Sequence, residues 1–255
     1  MNDSPPGLLF HSITPKPGEM SHYSHSDFKY LCTLLKENGY STNTLKNMAN
    51  ANDTPESKQI LITFDDGLES VFKYALPSLE EQRFKTTIFC MGGFYGSKST
   101  WDIFSHNTHL TREQIISLHT LGHEIGSHTC THAYLPFLNK DRQLKELTDS
   151  KARLEDIIGA PVTSLSFPYG GYNDQIWQLA REIGYTKATL YRNHSSSDSN
   201  LYPVEGVYRF DSPFDVLHKI NSTSLYSIVR ARTAMMAHFA KGTPLWKFRK
   251  TYTSL

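Results

Sequence analysis

Cysteine is scarce in this chain: three residues, Cys32, Cys90 and Cys130, odd in number and widely spaced. That argues against a disulfide framework and leaves the core to hydrophobic packing. Neither sign of charge is in excess, since 26 Lys and Arg stand against 25 Asp and Glu, for a net charge of +1. Nothing electrostatic therefore points to nucleic acid or an anionic membrane as a partner. No apolar run approaches the ~20 residues that span a bilayer. The opening Met-Asn-Asp-Ser-Pro-Pro lacks a basic region followed by an apolar core. No secretory signal is visible, and a cytoplasmic location is the simplest expectation. A chain trimmed of its leader would read the same.

What is present fits one large α/β domain. Hydrophobic content is 38% and charged content 20% over 255 residues, enough for a sizeable core. Aromatics reach 12%, with 14 Tyr, which suits sugar-stacking surfaces and ordinary core packing equally.

Strand-like and helical stretches alternate. Gly7–Ile13 reads as a strand that breaks before Pro15, and Ser26 as the cap of a helix ending at Asn38-Gly39. Residues 41–57 are polar, Ile60–Phe64 is the next strand, and Val71–Glu81 has helical spacing. Thr86–Met91 is a strand, 92–107 a long loop, and Thr111-x-x-Gln114 a capping box opening a helix to Leu121. Glu124–Gly126, Thr163–Phe167, Tyr185–Tyr191 and Val204–Phe210 read as further strands. Lys140–Ile158, the stretch from Asn173 to Gly184, Phe214–Ile220 and Leu225–Ala240 read as helices. About seven parallel β/α units suggest a barrel, whose chemistry sits at the C-terminal strand ends.

The chain is organised around Ile60–Gly67, Ile-Leu-Ile-Thr-Phe-Asp-Asp-Gly. A buried strand ends there in two adjacent carboxylates, Asp65 and Asp66, which are costly unless a cation or a proton offsets them. At a strand end the chain can splay the pair, so that one binds a metal while the other handles protons. A turn capping the next helix is the plain alternative. His128 and His132 lie four apart in a Ser/Thr-rich segment after another strand, a ligand spacing that suits zinc. His119 and His123 share that offset, but His119 lies inside a capped helix, where a surface or satisfied histidine is ordinary. Two His and one carboxylate, with a position left for water, make a hydrolytic zinc set. Asp66 is then the third ligand and Asp65 the proton acceptor. Cys130 lies between the histidines but off their face. Pro168-Tyr169-Gly170 follows the next strand, so three polar clusters converge on one end of the barrel.

Thr63-Phe64-Asp65-Asp66-Gly67, His128-Thr129-Cys130-Thr131-His132 and Phe167-Pro168-Tyr169-Gly170 resemble, in order and spacing, the first three motifs of the polysaccharide deacetylases, carbohydrate esterase family 4. The resemblance spans roughly residues 58–210. Phe10-His11-Ser12-Ile13 and the helix after it resemble the N-terminal extension of the subgroup acting on exopolysaccharide amino sugars. The resemblance implies a distorted (β/α)7 barrel forming a single domain over residues 1–255. Within it the motif-bearing core is 58–210, the strand-helix extension 7–57 and the C-terminal helices 212–255. It also implies metal-dependent N-deacetylation of a sugar or polysaccharide, most simply with Zn2+. Asp65 matches the catalytic base, Asp66, His128 and His132 the metal ligands, and the Tyr169 backbone amide the oxyanion donor.

Two positions depart from that pattern. Ser166 stands where the family carries an Arg that holds the base, and Arg209 is the expected replacement, within ion-pair reach of Asp65. The late Leu-x-His that supplies the general acid is missing. His218 is out of pattern, which leaves His11 as the better-placed donor. Two other readings compete: a hydrolase of another carbon–nitrogen bond, such as a cyclic ureide or amide, and a carbohydrate-binding relic without catalysis. Lacking a signal, the chain would act on a cytosolic precursor such as a nucleotide- or lipid-linked amino sugar. The sequence leaves the sugar and the oligomeric state open.

Overall fold

The computed structural model describes residues 7–48, 58–99, 107–191 and 196–221. In chain order these form β1 (Gly7–Phe10), β2 (Ser12–Thr14), β3 (His22–Ser24), α1 (His25–Glu37), β4 (Tyr40–Asn43), β5 (Lys58–Phe64) and α2 (Leu76–Glu81). There follow β6 (Thr87–Cys90), α3 (Arg112–Thr120), β7 (Glu124–Ser127), α4 (Lys140–Ile158), β8 (Ser164–Ser166), α5 (Asp174–Ile183), β9 (Lys187–Tyr191), β10 (Leu201–Gly206) and α6 (Pro213–Asn221).

Seven of the strands close into a parallel barrel in the order β1-β10-β9-β8-β7-β6-β5, and β5 returns to β1 through Gly7↔Leu61 to Phe10↔Phe64. The (β/α)7 expectation holds. β4 flanks the first half of β5, and β2 pairs with β3 outside the barrel. Burial on both faces explains the unbroken apolar run of β5, since a barrel strand has helices outside and other strands' side chains inside. Ile60, Ile62 and Phe64 join the outer core with Phe10 and Phe28, whereas Leu61 packs inside with Leu9, Phe89, Tyr202 and Val204.

The strand period of two carries these inward rows to the site. Leu61, Thr63 and Asp65 share one row. Glu124, Gly126 and His128 share another, and a Cβ at Gly126 would sit 2.5 Å from the Phe89 ring. Ser164 and Ser166 make a third, their hydroxyls donating to Glu124 and Asp65 respectively. Each chemically loaded residue is therefore the next inward position at its strand's C-terminal end.

The helices follow their caps. Lys140–Ile158 has the bounds its sequence suggests, because Asn139 accepts from the Arg142 N–H at one end and Gly159 adopts φ 65° at the other. Its buried Leu147, Ser150, Leu154 and Ile157 form one stripe against the barrel. Thr111 and Gln114 form both bonds of the capping box. Three expectations shift. Ser24 rather than Ser26 caps α1, because the backbone is still extended at Ser24 and helical from His25. The first strand breaks at His11, where the chain leaves the barrel to pair β2 with β3. The last strand is Leu201–Gly206, not Val204–Phe210. Leu225–Ala240 lies outside the described residues. Among those described, no helix is long and apolar enough to cross a membrane.

Candidate active site

Asp65 ends the β5 row with its backbone N–H bonded to the Phe10 carbonyl at 2.9 Å, and the residue is 4% exposed. Asp66 would face away, but φ 69° turns it back toward the mouth. Among the described residues, four of the five non-glycine residues with positive φ are Asp66, Thr129, His132 and Tyr169. Such conformations are disfavoured for residues with a Cβ and persist where the surroundings enforce them. Here the enforcing contacts are identifiable. His109 Nδ1 donates to the Asp66 carbonyl at 2.8 Å, with Ser99 Oγ at its other nitrogen. Glu146, from α4, accepts the Cys130 and Thr131 N–H groups and the Thr131 hydroxyl at 2.9, 2.8 and 2.6 Å, clamping the loop that carries His132. Gly67, at φ 58°, passes where a Cβ would lie 3.0 Å from Cys90 Cα.

These constraints bring Asp66, His128 and His132 together, with one ligand atom from each within 4.8 Å of the others. Asp66 Oδ1 lies 3.4 Å from His128 Nε2 and 3.2 Å from His132 Nε2, and it is buried without a hydrogen-bond partner. His128 Nδ1 donates to the Ser166 carbonyl at 2.9 Å, so in the neutral ring Nε2 carries the lone pair. His132 Nδ1 meets the Tyr169 hydroxyl at 3.0 Å. A buried, orphaned carboxylate oxygen facing two imidazole nitrogens fits a divalent cation. Cys130 is not in the cluster, and its N–H is spent on Glu146.

The carboxylates differ in character. Burial pushes Asp65 up to about 6; the His128 charge and the Ser166 hydroxyl oppose this, while Asp66 adds to it. Burial acts on Asp66 too, but the two imidazoles beside it hold it well below the usual carboxylate range. Burial would lower His128, yet Asp65 and Asp66 raise it above the ordinary histidine value. Two adjacent Asp residues thus have opposite proton affinities, the pattern that separates an acid–base group from a ligand.

Arg209 is not part of this arrangement. Its guanidinium donates to the Gly18 carbonyl at 3.1 Å and stacks on Phe210, exposed, and it makes no ion pair with Asp65. The strand before it ends four residues earlier than the sequence suggests, and the Arg209 N–H donates to the Met20 carbonyl, turning the side chain outward. Ser166 holds Asp65 instead, Oγ donating to Oδ2 at 3.0 Å. His11 follows β1 on the same rim, close enough for its charge to act on Asp66. Tyr169 sits in the Pro168–Gly170 turn at φ 57°, ψ 19°. His109 and Glu146 were missed by the sequence reading. Neither belongs to a short motif, and only their contacts reveal them.

The polysaccharide deacetylase family model matches residues 52–188, more than half of the chain. The chain belongs to the polysaccharide deacetylase family. YxkH of Bacillus subtilis, whose name places it among polysaccharide deacetylases, is 32% identical over 206 residues, 79% of this chain and 70% of that protein. A peptidoglycan-N-acetylglucosamine deacetylase of Bacillus cereus is 30% identical over 135 residues, 52% of this chain and 57% of that protein. Among solved structures, the Streptococcus pyogenes deacetylase PplD in complex with acetate superposes with a TM-score of 0.73 at 22% identity, covering 86% of this chain and 99% of that one. IcaB from Ammonifex degensii gives 0.72 at 20%, covering 86% and 98%. At those identities the likeness speaks for the barrel, and family membership rests on the sequence matches.

Proposed function

We propose that the chain is a metal-dependent N-deacetylase of amino sugars in a polysaccharide or its precursor. The observation that carries this is Asp66 Oδ1 facing both histidine Nε2 atoms beside a second, proton-accepting carboxylate. Asp66, His128 and His132 would hold the ion, most simply Zn2+, which when bound acidifies water and polarises the acetyl carbonyl. Asp65 takes the proton of the attacking water. Ser166 fixes the carboxylate for that task, and its carbonyl fixes His128. The Tyr169 backbone amide is the donor to the oxyanion, a contribution of about 2.7–4 kcal/mol for one such hydrogen bond. His11, on the rim, is the sequence's candidate for protonating the amine. The Bacillus cereus relative, named as a peptidoglycan-N-acetylglucosamine deacetylase, supports an acetamido sugar as substrate.

The test is metal analysis of the purified protein together with acetate release from N-acetylglucosamine oligomers, before and after chelation and zinc replacement. Acetate release that disappears on chelation and returns with zinc is expected. A protein that binds no divalent ion, or releases acetate equally well without one, would leave this reading without support.

A further inference from the structure

Phe137 follows His132 in the loop after β7 and is 60% exposed. The other exposed aromatics among the described residues are Tyr30, Phe210 and Phe214. Tyr30 and Phe214 meet edge to face at 6.0 Å, and the Arg209 guanidinium lies over Phe210. Phe137 differs from them in standing on the loop that carries a candidate metal ligand.

The turn that presents it is fixed on several sides. Leu135 is wholly buried, and Pro136 restricts the backbone. The Gln143 side-chain amide donates to the Leu135 and Leu138 carbonyls at 2.9 and 3.0 Å. The Phe137 N–H donates to the Tyr134 carbonyl at 3.1 Å. A ring held out in water on so rigid a turn loses little freedom when a ligand covers it.

A run of ring contacts joins Phe137 to the metal cluster. Its ring meets Tyr134 edge to face at 4.9 Å. Tyr134 and Tyr169 both pack against the buried Met91. The Tyr169 ring meets that of His132 at 4.6 Å, and its hydroxyl lies 3.0 Å from His132 Nδ1. The two turns are pressed together, since a Cβ on Gly171 would come within 2.9 Å of both Tyr134 Cδ2 and Pro136 Cδ. Phe137 is therefore the outer end of an aromatic row whose inner end touches a ligand. One exposed ring is far smaller than a protein interface, but it matches the apolar C–H face of a single sugar.

We propose that Phe137, backed by Tyr134, is a stacking platform for a sugar unit adjoining the one deacetylated, so that the site selects chains over single sugars. This rests on the deacetylase reading above and adds to it a determinant of substrate length. Phe137 touches no reacting atom. It grips the neighbouring unit, and the acetamide next to it is thereby held at Asp65 and the three ligands.

The experiment measures kcat and KM of the zinc-loaded protein on an N-acetylglucosamine hexamer and on 4-methylumbelliferyl acetate, which reaches the same centre without a second sugar. Phe137→Ala should raise the hexamer KM about tenfold and keep kcat within about threefold, as for loss of one apolar contact face. On the ester both constants should stay within about twofold. Phe137→Trp should restore the hexamer KM, whereas Phe137→Leu, which keeps bulk without a flat ring, should not. Circular dichroism and zinc content should match the parent in all three. An unchanged hexamer KM, an equal loss on both substrates, or full function in Phe137→Leu overturns the assignment. Isothermal titration of the hexamer separates the platform from the reading it rests on. A parent that binds the hexamer but releases no acetate overturns the deacetylase reading. The platform then stands if Phe137→Ala weakens that binding about tenfold and falls if it does not. A parent that neither binds nor cleaves the hexamer overturns both.

Discussion

Ser166 and Asp65, 101 residues apart, share a hydrogen bond of 3.0 Å across the mouth of the barrel, where the family pattern has an arginine. A hydroxyl cannot neutralise a carboxylate, but it can orient one, and Asp65 Oδ1 has no hydrogen-bond partner. Ser166→Ala should lower turnover about tenfold, the size of one hydrogen bond of ~1.4 kcal/mol. Losing a donor to the ionised form raises the pKa of Asp65 further, so the acid limb of the kcat/KM profile should move to higher pH. A profile between pH 5 and 9 that superposes on the parent's would show that Ser166 is a bystander.

Asp65 also links stability to pH. Burial raises its folded pKa from 3.8 to about 6, so between those values the folded state holds more protons than the unfolded one. The contribution is fully present below the unfolded pKa and is lost as pH rises through about 6. At pH 7 the metal-free protein therefore carries an ionised, buried carboxylate at a cost of order 1–3 kcal/mol. Asp65→Asn should raise the metal-free Tm at pH 7 while lowering turnover by about 10²–10⁴. Scanning calorimetry at pH 7 and pH 4 tests this, because the gain should shrink at the lower pH. An equal gain at both would point to another cause.

The barrel, and the meeting of Asp65, Asp66, His128 and His132 at its mouth, were legible because strand period, strand ends and short motifs are local in sequence. Asp65, Asp66, His128 and His132 are read from two stretches of a few residues each. What holds them was not legible. Ser166, His109 and Glu146 act through contacts made only when distant strand ends meet, so a Ser in place of Arg read as a loss. Arg209 failed for a local reason. The strand ends at Gly206 and not at Phe210, so Arg209 lies in a turn, which redirects its side chain completely.

Metal binding should register as stability before it registers as activity. At free zinc near 100 times its Kd, the folded state gains about 2.7 kcal/mol, or roughly 5–10 °C in Tm for a chain this size. His128→Ala should lose that shift and most bound metal. Glu146→Ala should keep the fold but need more zinc for the same shift, since its two N–H bonds no longer clamp the His132 loop. An unchanged zinc titration in Glu146→Ala would remove it from the site's support.

Arg209→Met should change turnover on the N-acetylated sugar by less than about twofold, the scale of an exposed group outside the reacting centre. The guanidinium bonds to Gly18 and stacks on Phe210, so its loss belongs to the surface. A tenfold loss would return Arg209 to the mechanism.

Lys219 and Asp211 offer the sharpest structural test, because the buried pair ties α6 to the end of β10. Lys219→Met alone leaves Asp211 a buried carboxylate without its cation, a change typically costing 3–5 kcal/mol. Urea unfolding should report that loss. Adding Asp211→Asn removes the stranded charge, and the double variant should recover much of the stability. The bonds to the Tyr208 N–H and the Gly206 carbonyl are weakened or lost in that variant, so recovery should stop short of the parent. A double variant no more stable than Lys219→Met would mean that the cost lies in those lost backbone ties between α6 and the end of β10 and not in the stranded charge.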